Sequence, residues 1–141
     1  MSTEKWHAAC VRISSKTLNV AEITSMLGIE PTNSHEKGTR MSIRNPKSRI
    51  RQESVWILES GINSEEPFDA HLERLVSFIE EKAEQLQKLM PMCYIDIFCG
   101  FFAEEGQGTL HLRATLLKRI MVIPIDIVID LYPPSGNLDS E

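Results

Sequence analysis

Apolar and polar positions alternate over residues 6–13, with Ala9, Val11 and Ile13 on one face and Trp6, Cys10 and Arg12 on the other. That is the pattern of a strand with one face on a core. The period then changes. In Leu18-Asn19-Val20-Ala21-Glu22-Ile23, Asn19 is placed to cap a helix, Glu22 to close a capping box and Leu18 to staple against Ile23, which predicts a helix over 20–27. Gly28 supplies a left-handed closing residue and Pro31 prevents resumption. Residues 32–53 show no period and include the Asn45-Pro46 turn signal. A connection this long far exceeds the usual length of about 4–6 residues, so it is expected to be either a binding loop or disordered.

Residues 54–59 predict a second strand, with Val55 and Ile57 opposite Trp56 and Leu58. After Ser60-Gly61, Pro67 opens a helix in which Phe68, Leu72, Leu75, Ile79, Ala83, Leu86 and Leu89 recur at three- and four-residue spacing, bounded by Pro91. Residues 92–102 read as a long strand with Cys93, Ile95, Ile97, Cys99 and Phe101 facing one way and Tyr94, Asp96 and Phe98 the other. The glycines in 104–108 predict a hairpin turn into a strand over 109–113 that pairs antiparallel with it. A short helix near 116–121 precedes Pro124. A last strand over 125–132 turns Ile125, Ile127, Ile129 and Leu131 inward and Asp126, Val128, Asp130 and Tyr132 outward.

This order predicts an α+β two-layer sandwich of ferredoxin-like type, a mostly antiparallel sheet of about five strands with helices on one face. Residues 1–141 are expected to form one domain, with 32–53 as a long basic loop and a flexible tail at 133–141. A chain of this length buries about 68% of its unfolded surface and needs no disulfide or metal to fold. The helix-free face then collects Trp56, Tyr94, Asp96, Phe98, Asp126, Asp130 and Tyr132, beside Trp6, Arg12 and Val128. A face this rich in aromatics calls for a cover, so those seven residues are the expected interface.

Charge adds a second feature. Between residues 35 and 51, Lys37, Arg40, Arg44, Lys47, Arg49 and Arg51 stand against Glu36 alone, +5 by count in a chain of −5, so the remainder carries −10. Clustered like charge repels itself unless something offsets it, which marks these six residues as anion- or partner-binding. No apolar run reaches the roughly 18 residues of a membrane span, and residues 1–5 are polar, so the expected location is the cytoplasm, with no membrane partner. Cys10, Cys93 and Cys99 are odd in number and lie in apolar runs, which predicts free core thiols in a reducing compartment.

Enzyme chemistry finds little support. His7, His35, His71 and His111 make no zinc-binding spacing with the cysteines, so no metal is expected. Cys93 and Cys99 share an apolar face, which suits packing and not a nucleophile. Gly106-Gln107-Gly108 lacks the helix and lysine of a phosphate loop. Asp96, Asp126 and Asp130 lie on outward positions of two long strands and could form a site if those strands are neighbours, but carboxylates on an exposed face more readily aid solubility and discourage edge pairing. No catalytic residue or cofactor is assigned, and the chain is expected not to be an enzyme.

Ser14-Ser15, Leu18, Glu22-Ile23-Thr24, Leu27-Gly28-Ile29-Glu30-Pro31, Lys37-Gly38, Trp56, Ser60-Gly61, His71-Leu72, Cys99 and Asp130-Leu131-Tyr132 follow one another in an order that resembles the bacterial domain of unknown function 4279 family over nearly the whole chain. The chain departs from that pattern at Leu131, where isoleucine is more usual, and in the arginine content of its basic loop. The resemblance implies a small intracellular bacterial protein. It implies no activity, cofactor or site residue to carry over.

The expectation is a protein-binding domain of the toxin-neutralising (immunity) kind, whose acidic residues plug the cationic site of a toxin, or a homodimer that covers its own aromatic face. The alternative is a regulatory domain that holds an anionic metabolite or nucleic-acid phosphates at the basic loop. The acidity of the chain and the lack of interleaved aromatics weigh against nucleic acid.

Overall fold

The computed structural model describes residues 5–103 and 109–132. The elements run β1 (Lys5–Ser15), α1 (Val20–Leu27), β2 (Asn33–His35), β3 (Ser54–Glu59), α2 (Phe68–Glu81), α3 (Ala83–Leu89), β4 (Tyr94–Ala103), α4 (Ala114–Ile120) and β5 (Asp126–Tyr132). One sheet has the order β2-β3-β1-β4-β5. β3 is antiparallel to both β2 and β1, so β1 and β2 run parallel with β3 between them. β1 is likewise antiparallel to β3 and β4 and separates that parallel pair. Two interlocked split β-α-β units of this kind are the ferredoxin-like connectivity, as the sequence predicts. To it α4 adds β5, parallel to β4 at the sheet edge.

Local chemistry explains why α1 forms where it does. Asn19 Oδ1 accepts from the Glu22 N–H at 2.8 Å, and Glu22 Oε1 accepts from the Asn19 N–H at 2.9 Å, a complete capping box. Glu36 reaches back from beyond β2 to accept from the Val20 N–H and from Ser54 Oγ, tying the helix start to β3. Gly28 closes the helix at φ 73°, a conformation that a side chain would strain. Asn19→Ala is expected to cost about 1 kcal/mol, because the Glu22 N–H loses its acceptor. A urea unfolding midpoint unchanged from wild type would contradict the cap.

The helices cover one face of the sheet. Ala9, Val11, Ile13, Trp56, Ile95, Ile97 and Cys99 meet Ile23 and Leu27 of α1, Leu72, Leu75, Val76 and Ile79 of α2, Leu86 and Leu89 of α3, and Leu116 and Ile120 of α4 in one buried cluster. The long amphipathic stretch from Pro67 forms two helices that meet at Lys82 (φ −105°, ψ 21°). The bend lets α2 pack on β1 and α4 while α3 meets α1.

Other sequence expectations change as well. Residues 109–113 form no strand, because β5 occupies the edge of β4 they were expected to take; the turn expected at 104–108 lies outside the described residues, as does the tail at 133–141. The long loop contains β2, too short for any periodicity to reveal. Beyond β2 it folds into an arm in which Gly38 and Met41 N–H groups donate to the Arg51 and Arg49 carbonyls, and the Arg51 N–H to Thr39. Finally, Trp56 lies on the helix side of the sheet.

Candidate functional site

Register assembles the outward positions of the strands into rows across the helix-free face. Ile57, Arg12, Asp96 and Asp126 form one row from β3 to β5. Glu59, Cys10, Phe98 and Val128 form the next, and Ala8, Gly100 and Asp130 the one after, followed by Phe102 and Tyr132.

The centre of this face is an ion pair. Arg12 Nε and Nη2 donate to Asp96 Oδ1 and Oδ2 at 3.0 and 2.7 Å, the two-point geometry that matches a guanidinium to a carboxylate. The Asp96 side chain is 1% exposed and that of Arg12 36%. The guanidinium carbon also lies 4.1 Å from the centroid of the Phe98 ring. The hydrogen bond to Asp96 raises the Arg12 pKa further above its already high ordinary value. The two charges offset each other and fix the middle of the face, leaving its uncompensated charge to the acids around them.

Those acids lie on the flanking strands. Tyr94 Oη donates to Asp126 Oδ2 at 2.8 Å, and this bond to a carboxylate pushes the phenol up to about 12. Tyr132 Oη lies 3.5 Å from Asp130 Oδ2, at the limit of a hydrogen bond. Tyr94, Asp126, Asp130 and Tyr132 are exposed and Phe98 half-buried, so these five expected interface residues do share one face. Asp96 shares it too, but buried beneath Arg12.

Trp56 does not. Its side chain is fully buried, stacks on Phe78 at 6.1 Å between centroids, and donates from Nε1 to Thr24 Oγ1 at 3.1 Å. Register decides this: Trp56 pairs opposite Ile13, a core position of β1. Cys10 is corrected in the opposite sense, since it lies half-buried on the helix-free face and not in the core. Burial pushes its thiol up to about 11 and that of Cys99 to about 12, and also raises Cys93. At all three, burial disfavours the thiolate, the form a nucleophile needs.

The six basic residues are exposed or half-exposed along the arm beyond β2. Lys37 Nζ donates to the Lys16 carbonyl, Arg40 Nη1 to that of Ser48 and Arg51 Nη2 to that of Met41. Among the described residues none of the six pairs with a carboxylate. Ile43, near the tip, is 99% exposed. The arm presents charge without enclosing it.

One pair escapes sequence reasoning. Ser60 Oγ and His71 Nδ1 share a hydrogen bond of 2.8 Å, and Ser60 Oγ also accepts from the Ile62 N–H. Both residues are buried. The pair anchors the loop after β3 to α2; the Ser60-Gly61 turn is the only local signal of it. Among the described residues no group of three or more His, Cys, Asp or Glu is placed to hold a metal ion. None of their helices is long and apolar enough to cross a membrane.

Fold and face together define a ferredoxin-like α+β domain, extended by a fifth strand, with one sheet face free of helices among the described residues. The family model for a domain of unknown function (DUF4279) matches residues 4–134, and the chain belongs to that family. No curated protein and no solved structure matches it.

Proposed function

We propose that the chain is a non-enzymatic protein-binding module that engages its partner through the helix-free sheet face. The observation that carries this reading is the two-point Arg12–Asp96 pair, stacked on Phe98, at the middle of that face among Tyr94, Phe98 and Tyr132. A surface ordered before binding loses little entropy on association, and aromatic side chains are the usual anchors of such contacts. With Arg12 neutralised, Glu59, Asp126 and Asp130 make the face acidic, which suits a basic partner. A toxin-neutralising role in the cytoplasm, against a nucleic-acid-degrading toxin with a cationic site, is the form of this reading that the acidity favours. The basic arm favours a second reading, an anionic metabolite or nucleic-acid phosphate held by Arg40, Arg44, Lys47 and Arg49.

Affinity capture from the native host separates the two. Wild type is expected to retain a basic protein in stoichiometric amount that Asp126→Lys/Asp130→Lys loses and Arg44→Glu/Arg49→Glu keeps. Nucleic acid retained by wild type and lost only with the arginine variant would overturn the first reading in favour of the second. Recovery of the chain alone in doubled stoichiometry would identify the covered face as a homodimer contact.

A further inference from the structure

Where β1 outruns β3, the helix-free face is hollowed. Ser60 makes the last contact between them, its N–H donating to the Ala9 carbonyl at 2.9 Å, while β1 continues to Lys5 beside β4. At the next row Ala8 lies opposite Gly100, so two of the smallest side chains adjoin on the same face. A cavity of about 370 Å³ opens over them, flanked by Phe98 and Tyr132. Its far wall is the loop after β3, which the Ser60–His71 bond fixes.

Among the described residues that line this cavity, the one carboxylate is Glu59, and the buried His71, which also lines it, is bonded to Ser60. Glu59 lines it at the end of β3, and Asp130 stands in the row of Ala8 and Gly100 on β5. Among the described residues no lysine or arginine lines it, and the neighbouring Arg12 is already paired with Asp96. A small-residue floor, two aromatic walls and the Glu59 carboxylate suit an alkyl chain ending in a cation, which packs its stem on the rings and directs its charge to the acid. The volume is at the low end for a ligand site, about 300–1,000 Å³, and accommodates one long side chain.

We propose that this hollow receives an arginine or lysine side chain of the partner protein, between Phe98 and Tyr132 and against Glu59. The proposal rests on the sheet-face reading and names the chemistry that the face selects.

Amide NMR of the full chain, titrated with N-acetyl-arginine-N-methylamide and with its neutral citrulline counterpart, tests it. Saturable shifts at Ala8, Gly61 and Gly100 are expected with the arginine compound, and binding of the citrulline compound weaker by about fivefold or more. Glu59→Gln should reduce the arginine compound to the citrulline level. Ala8→Leu should fill the floor and abolish binding of both. Absence of shifts at these positions, equal binding of the two compounds, or binding unaffected by Glu59→Gln would each overturn the proposal; should Ala8→Leu lose native dispersion, Glu59→Gln decides alone. A partner lost on Asp126→Lys/Asp130→Lys but kept by Glu59→Gln and Ala8→Leu overturns the hollow and leaves the face reading standing. Charge-selective arginine binding beside a partner indifferent to Asp126→Lys/Asp130→Lys overturns the face reading alone.

Discussion

Replacing Trp56 with alanine is expected to destabilise the chain by about 4 kcal/mol, the range for removing a fully buried indole from a packed core. The ring has no exposed surface, stacks on Phe78 of α2, and sends its N–H to Thr24 of α1, so it joins both helices to β3. A chain of this length is stable by about 7–20 kcal/mol, so the loss is a sizeable share of the whole. Thr24→Val should cost less, about 1–2 kcal/mol, because it leaves the indole N–H buried without an acceptor but keeps the packing. Urea unfolding at constant slope measures both. A Trp56→Ala loss below about 1 kcal/mol would mean that the ring faces solvent, contrary to this fold.

The Arg12–Asp96 pair should respond unequally to loss of its two members. Arg12→Leu leaves a carboxylate that is 1% exposed without its cation and is expected to cost about 3 kcal/mol. Asp96→Leu leaves a guanidinium whose side chain is 36% exposed and able to turn towards water, so about 1–2 kcal/mol is expected. The double variant should recover much of the Arg12→Leu loss, since it removes the stranded charge. Denaturant midpoints of the three variants decide the matter; Asp96→Leu proving the more harmful single change would contradict the burial asymmetry.

What was legible in the chain was mostly local. Asn19, Glu22 and Gly28 set the limits of α1 within ten positions, and α1 forms as their spacing predicts. The alternations over β1 and β4 separate core from surface because polar residues mark the outward side, whereas in β5 Leu131, expected inward, is 69% exposed. In β3 the sequence Val55-Trp56-Ile57-Leu58 is apolar on both sides, so a period of two cannot say which face is buried; pairing with Ile13 does. The strand expected at 109–113 failed because the edge of β4 it would take is occupied by β5. The candidate site was half visible. Its tyrosines, Phe98 and outward aspartates could be placed on one face, whereas the Arg12–Asp96 pair joins residues 84 positions apart and the hollow depends on Ala8 meeting Gly100. Such encounters follow from register, which no short window contains.

The central place of β1 governs the order in which the chain becomes itself. It is the first of these strands to leave the ribosome, yet both its neighbours come later, β3 beginning at Ser54 and β4 at Tyr94. Until β4 emerges, a nascent chain carries an apolar strand with one edge and one face unsatisfied, and α1, already capped, has only part of its floor. Closing these distant pairings is slow compared with forming a helix. The second edge of β1 is therefore satisfied only when the segment from Tyr94 to Ala103 arrives, and α4 completes the core after it.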